Sequence, residues 1–207
     1  VLTEAQQSLV FTDIDAEPVP SLLRGFSAPV VLDVTYTDAQ LLTLLAHDTD
    51  PFNRWEAGQR LALRRALAAV RADGPVGQPL DAAYIDAMRS VLRHTALDAA
   101  FKELVLTLPG ETYMAEQLDV VDPQRVHAVR EAMRLQLAVS LHDDWAWALE
   151  AHQDNGSYRP DPLSTGRRAL AGLALTMLCL SARTSGDAVW PGKAYQRFKD
   201  AGNMTDR

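Results

Sequence analysis

The spacing of the apolar residues changes once along the chain, at Thr37, and this change constrains the fold more than any other feature. In residues 30–36 (VVLDVTY) every even-numbered side chain is apolar or aromatic. A period of two is that of a β-strand with one buried face. After Thr37 almost all of the spacing is helical. We therefore predict a mainly α protein, with terminal strands of an incomplete β-sandwich in residues 1–37 and an α-helical domain in residues 38–207.

The N-terminal segment holds too few strands for a sheet of its own. Residues 7–11 (QSLVF) also have strand character, and three prolines and Gly25 divide the segment into short pieces. Two or three strands do not form a stable sheet alone. The segment must pack against the helices or pair with strands that precede Val1, and we favour the second arrangement.

Helix starts are marked by capping residues. Thr37 and Gln40 have the spacing of a capping box. Asp-Pro pairs recur three times, and aspartate at the N-cap followed by proline at the first helical position is typical of a helix start. The predicted helices run from Pro51 to a stop at 73–75, over 80–94, 97–108 and 111–118, from Pro123 to about 153, and over 163–183.

The helix from Pro123 should be the longest, and it has apolar residues on two faces, so we expect it between other helices. Short loops between successive helices predict antiparallel pairs stacked in layers. The expected arrangement is a superhelical one of the ARM/HEAT type, although no sequence repeat of fixed length is present.

Composition excludes some classes of partner and compartment. The net charge of −7 argues against broad binding to nucleic acid or anionic membrane. The only cysteine, Cys179, cannot form an internal disulfide, which fits a reducing compartment. The apolar run 169–180 is too short to span a bilayer. No signal peptide is visible, although the chain also lacks an initiator Met. We expect a cytoplasmic protein.

No group of residues has the pattern of a catalytic or metal site. Cys179 lies in an apolar run, where a thiol is usually a core residue rather than a nucleophile. His142, Asp143 and Asp144 are consecutive, and consecutive residues of a helix point in different directions. None of the histidines has the i, i+4 spacing of H-E-x-x-H; they are His47, His94, His127, His142 and His152.

The remaining candidates also have simpler interpretations. Glu150 and Asp154 are four residues apart and could form an acid/base pair, but solvated carboxylates at a helix end are commoner. Ser157 and Ser164 lack a glycine-flanked elbow. Two tryptophans, Trp145 and Trp147, should face in different directions, which argues against an aromatic cage. We assign no catalytic, cofactor-binding or metal-ligating residue.

Several segments resemble bacterial aminopeptidase N, the zinc-dependent alanyl aminopeptidase family. The most specific is residues 18–30 (PVPSLLRGFSAPV). Weaker similarities follow in the same order at 52–57 (FNRWEA), 106–109 (LTLP), 122–123 (DP) with 129–132 (VREA), and 203–206 (NMTD). Together they extend from one end of the chain to the other.

The resemblance implies a place in a larger enzyme. In that family an N-terminal β domain and a thermolysin-like catalytic domain precede a small Ig-like sandwich, and a large helical domain then caps the active-site cavity. The chain resembles the last strands of the sandwich and the first part of that helical domain, which continues further in the family. The zinc motif H-E-x-x-H and the amine-binding motif G-A-M-E-N have no counterpart here, so they would lie upstream.

Two main hypotheses follow, and a third, a helical small-molecule sensor, ranks last because the sequence shows no convergent polar cluster. The first is a non-catalytic fragment of an aminopeptidase that removes N-terminal residues from peptides. The fragment itself would bind no cofactor, whereas the parent enzyme would bind zinc. The partners of the fragment would be the parent's catalytic domain and peptide substrates. The alternative is a free-standing helical-repeat scaffold for protein–protein interaction, which should expose an apolar groove.

Overall fold

The computed structural model describes residues 4–154, 156 and 158–205, and these form a mainly helical fold. This confirms the predicted fold class. The helices in the described residues are a short 3-10 turn, η1 (Arg24–Phe26), and α1 (Asp38–His47), α2 (Pro51–Arg71), α3 (Ala82–Arg93), α4 (Ala99–Leu106), α5 (Glu111–Ala115), α6 (Pro123–Ser140), α7 (His142–Ala151), α8 (Pro162–Ser185) and α9 (Val189–Asp200).

The predicted caps are present. The Thr37 hydroxyl accepts from the backbone N–H of Gln40 at 3.2 Å, and the Gln40 side chain accepts from the Thr37 N–H at 2.8 Å. All three Asp-Pro aspartates accept a backbone hydrogen bond at the start of a helix. Because these bonds satisfy N–H groups that have no partner within the helix, the short side chains fix where each helix begins.

Helix α8 lies at the centre of the packing. It contacts α4, α6, α7 and α9, while α2 contacts α1, α4 and α6. The core between them is formed by fully buried side chains from most of the helices, including Leu45, Leu61, Met88, Met133 and Trp145. No helix within the described ranges is long and apolar enough to cross a membrane.

The close approach of α8 to α4 depends on Gly166. A Cβ at this position would lie 2.8 Å from the backbone nitrogen of Ala100 and 3.0 Å from its Cβ. At Gly172, on the same helix, an added Cβ would meet no atom within 4 Å. The first glycine is therefore required by packing and the second is not.

We predict that Gly166→Ala destabilises the protein relative to Gly172→Ala. The helix-propensity gain of about 1 kcal/mol is common to both changes, and only the first forces α8 away from α4, at about 1–3 kcal/mol. Urea unfolding followed by circular dichroism should place the Gly166→Ala midpoint below wild type and the Gly172→Ala midpoint at or above it. Equal midpoints for the two variants would contradict this packing.

The prediction of one long helix from Pro123 to about residue 153 was wrong. The helix is interrupted at Leu141, whose φ of −114° and ψ of 23° are not helical. The buried indole of Trp145 donates to the Leu137 carbonyl at 3.1 Å, and the Leu141 N–H bonds to the same oxygen at 3.1 Å. A side chain that shares a backbone acceptor in this way is a known cause of helix breaks.

The strands expected at 7–11 and 30–36 are not paired in the structure. No β-ladder is present in the described part of the chain. Tyr36 is buried at 7% exposure, but Val30 and Val31 are exposed at 58% and 98%. An alternating sequence becomes a strand only when another strand satisfies its backbone groups.

Candidate functional site at the junction of the N-terminal segment and the first helices

The turn between α1 and α2 binds the N-terminal segment through Asp50. One carboxylate oxygen of Asp50 accepts from the Asn53 N–H at 3.0 Å and caps α2, while the other accepts from the Gly25 N–H at 3.0 Å. The bond from Asn53 is the main cause, and that from Gly25 a further one, of an Asp50 pKa below its usual value. This aspartate therefore serves as a helix cap and as an anchor.

A second anchor is the ion pair between Arg24 and Asp48. Arg24 Nη1 lies 2.6 Å from Asp48 Oδ1, and its Nη2 donates to the Thr49 hydroxyl at 2.6 Å. The Asp48 side chain is 1% exposed and that of Arg24 is 45% exposed, so the segment brings a partly solvated cation to a buried carboxylate. The same Oδ1 also accepts from the Asp50 N–H at 2.8 Å, while Oδ2 is buried without a partner among the described residues.

Further contacts extend the junction along the segment. The Asn53 amide donates to the Ser21 hydroxyl at 3.0 Å and to the Leu22 carbonyl at 2.9 Å. The rings of Phe26 and Phe52 lie 4.6 Å apart, and the hydroxyl of Tyr36 donates to the Pro20 carbonyl at 2.8 Å. The docked residues thus fall within 18–30, the stretch with the most specific family resemblance.

The backbone of the docked segment is strained. Leu23 and Phe26 have positive φ angles of 52° and 53°, and Gly25 between them has a φ of 61°. For residues with a Cβ this region costs about 1–2 kcal/mol each, so it persists only where surrounding contacts hold it. The anchors at Asp48, Asp50 and Asn53 are those contacts. Such strain often marks a functional segment.

Arg54, in the first turn of α2, stabilises the junction through hydrogen bonds to the end of α1. Its Nε donates to the Leu45 carbonyl at 2.6 Å and its Nη2 to the Ala46 carbonyl at 2.7 Å, in the last turn of α1. Burial lowers the pKa of Arg54, and the nearby Asp48 carboxylate opposes that shift. The guanidinium thus satisfies helix-terminal carbonyls and fixes the turn that holds both anchors.

The structure places the predicted chemical candidates apart from this junction. Cys179 is half-buried on α8, and burial raises the pKa of its thiol. His142 lies 3.2 Å from the Ser181 hydroxyl, and Asp144 pairs with arginines of α3, while Asp143 is exposed. The three consecutive residues therefore do not converge on one point.

The other candidates are also separated. Asp154 pairs with Arg168 at 3.2 Å, whereas Glu150 is exposed. As expected, the two tryptophans face differently: Trp145 is buried, and Trp147 packs beneath Arg93 at 4.3 Å. The remaining candidates are Ser164, which is buried at the start of α8, and Ser157, which lies outside the described residues. Within the ranges that the structure covers, no three His, Cys, Asp or Glu side chains are grouped to hold a metal ion.

The Asp50 cap was predicted from the sequence, whereas the junction was not. Asp50-Pro51 indicates a helix start, whereas nothing in the spacing shows that residues 24 and 25 return to this turn. The only available signal was the resemblance of residues 18–30.

Comparison with known proteins gives a family for both parts of the chain. Residues 38–207 match the family described as "Domain of unknown function (DUF3458_C) ARM repeats", and residues 1–35 match "Domain of unknown function (DUF3458) Ig-like fold". These descriptions agree with the predicted repeat type and with a segment derived from an Ig-like sandwich. The predicted boundary between residues 37 and 38 stays a prediction.

Individual relatives match along the whole chain. Aminopeptidase N of Caulobacter vibrioides is 37% identical over 206 residues, which are 100% of this chain and 23% of that protein. Aminopeptidase N of Escherichia coli K12 is 34% identical over 208 residues, with 99% and 23% covered. The crystal structure of Legionella pneumophila aminopeptidase A in complex with aspartic acid has a TM-score of 0.76 at 26% identity, over 95% of this chain and 23% of that chain.

The chain thus spans 23% of the length of these relatives, and the match covers essentially the whole of this chain. With the ARM-repeat match over residues 38–207 and the helical fold, these similarities show that the chain belongs to the aminopeptidase N family, of whose members it forms a mainly helical domain.

Proposed function

We propose that the chain is a non-catalytic domain of an aminopeptidase that removes N-terminal residues from peptides. It encloses part of the active-site cavity and supports the packing of the domains. The observation that carries this proposal is the end-to-end match to relatives named aminopeptidase N, of which the chain covers only 23%. The remaining length is sufficient for a separate catalytic domain.

In this proposal the zinc ion and the groups that use it belong to the catalytic domain. That domain is the partner of this chain within one polypeptide, and peptides are the substrates of the whole enzyme. We further propose a cytoplasmic location, with which the single cysteine is compatible.

The junction gives the proposed lid a fixed orientation. Hydrogen bonds of Arg24, Gly25 and Asn53 hold the segment that leads from the sandwich against the turn between α1 and α2. A lid held through bonds at one turn moves with the sandwich rather than independently of it. Loosening those bonds should therefore change access to the cavity more than it changes the chemistry.

The test is a double variant, Arg24→Ala with Asn53→Ala, in the intact enzyme that contains this domain. The measured quantity is the ratio of kcat/KM for a folded protein with an N-terminal alanine to kcat/KM for an alanine anilide. We expect this ratio to rise by about threefold or more, because a looser lid admits larger substrates.

The matched control is Arg71→Ala. Arg71 ends α2 and bonds to the Gln117 carbonyl at 3.2 Å, away from the junction. We expect this variant to keep the wild-type ratio. A double variant that also keeps the wild-type ratio would show that the junction does not govern access, and the lid role would be wrong.

A further inference from the structure

A cleft of about 810 Å³ lies between α8, α9 and the residues that follow α7. The apolar part of its lining includes Leu149, Ala171 and Leu175. Its dimensions are within the range of sites that bind small organic molecules. The cleft is separate from the junction between the N-terminal segment and the first helices, and no residue of that junction lines it.

Arg168 is the most buried cation of this cleft, with a side chain only 8% exposed. Its Nη1 meets Asp154 Oδ2 at 3.2 Å, and its Nη2 donates to the Arg159 carbonyl at 2.9 Å and to the Thr165 hydroxyl at 3.2 Å. Its Nε is buried and has no hydrogen-bond partner in the described part of the protein. Buried donors are nearly always bonded, so this guanidinium has an unused donor.

Two further cations reach the cleft from α9. Lys193 lies over the ring of Trp190 at 4.3 Å, and Arg197 is half-buried. Neither side chain has a hydrogen bond or ion pair with another described residue. Arg197 can therefore turn to an incoming anion without breaking an ion pair, and Lys193 can do so by leaving its contact with the Trp190 ring.

The carboxylates of the lining neutralise these cations only in part. Asp154 contacts Arg168 through one nitrogen, and Asp200 accepts two bonds of 2.8 Å from Gln196. Among the described residues of the lining, three cations thus face two carboxylates, in a chain whose net charge is −7. Burial lowers the pKa of the His152 imidazole in this lining, while the contact of its Nδ1 with the Ala148 carbonyl at 2.9 Å opposes that shift.

We propose that this cleft binds a carboxylate that carries an apolar group. A carboxylate matches the planar donor fork of the Arg197 guanidinium and pairs with Lys193 at the rim. The apolar group packs on Leu149 and Leu175. Asp154 occupies only Nη1 of Arg168, and Nε is the donor left for a second carboxylate to satisfy.

The probe is N-acetyl-leucine, titrated into the isotope-labelled 207-residue chain and followed by NMR chemical shifts. We expect saturable shifts at α8 and α9 with a Kd on the order of 1 mM. N-acetyl-leucinamide has the same apolar group without the carboxylate and should bind about tenfold more weakly. Inorganic phosphate, an anion without an apolar group, should also bind about tenfold more weakly.

The variants use exposed or half-exposed positions so that the fold is kept. Lys193→Gln with Arg197→Gln should weaken N-acetyl-leucine binding about tenfold. Lys199→Gln is the control on the same helix, because Lys199 lies over Tyr195 at 5.7 Å and does not line the cleft. The proposal is overturned if N-acetyl-leucine does not bind, if its amide or phosphate binds equally well, or if the double variant binds like wild type.

Discussion

Replacing Trp145 with alanine should lower the free energy of unfolding by about 3–5 kcal/mol, the largest effect that we expect from a single change in this chain. Trp145 is fully buried, and it is the largest of the fully buried side chains. Its removal leaves a cavity in the core. It also removes the hydrogen bond from the indole N–H to the Leu137 carbonyl, close to the point where the apolar stripe continues from α6 into α7. Chemical denaturation followed by circular dichroism measures the loss.

Trp145→Phe keeps much of the core packing and removes the hydrogen bond of the indole N–H. Phenylalanine keeps an aromatic ring in the core and removes the N–H together with the five-membered part of the indole, while the Leu137 carbonyl retains its bond from the Leu141 N–H. We expect a loss of about 1–2 kcal/mol for this variant. A loss below about 1 kcal/mol for Trp145→Ala would contradict the packing of α6 and α7 described above.

Replacing Arg54 with methionine should destabilise the protein by about 3 kcal/mol. Methionine keeps much of the side-chain volume, so the loss reports the charge and its hydrogen bonds rather than a cavity. The Leu45 and Ala46 carbonyls lose their donor, and buried Asp48 loses one of its two neighbouring cations. Because Asp48 also holds Arg24, the junction should loosen together with the end of α1.

Limited proteolysis checks that coupling. Arg54→Met should be cleaved faster than wild type near residues 18–26, where the docked segment is released. The control is Arg60→Met on the same helix, whose pair with Glu56 is partly solvated and contributes no more than about 1 kcal/mol. If Arg54→Met unfolds at the same denaturant concentration as Arg60→Met, the support that we assign to Arg54 is wrong.

Local features of the helices could be predicted from the sequence because short-range chemistry determines them. The aspartate caps and the stop after α2 depend on residues within one turn of each helix end. Gly186, at the end of α8, has a φ of 72°, as expected for a glycine in a turn. Helix α9 was not predicted, since Pro191 and Gly192 near its start interrupt the helical pattern.

Features that depend on distant contacts could not be predicted. Leucine favours helix, so nothing at Leu141 indicates a break, and the apolar stripe keeps its spacing across it. The positive φ angles of Leu23 and Phe26 arise from contacts with residues about 25 positions later. The pair of Arg168 with Asp154 spans 14 residues and crosses a loop. The break at Leu141 depends on a side-chain bond from Trp145 to Leu137 that spacing does not reveal. In the other two cases the determining partner lies outside the window that spacing can test.

The central claim is that this chain is a domain of an aminopeptidase and does not itself carry the chemistry. The most direct test is the release of chromophore from an alanine anilide by the purified 207-residue chain in the presence of zinc. We predict no release above the buffer rate, at any zinc concentration. Zinc-dependent turnover whose rate is proportional to the concentration of the purified chain would contradict the claim.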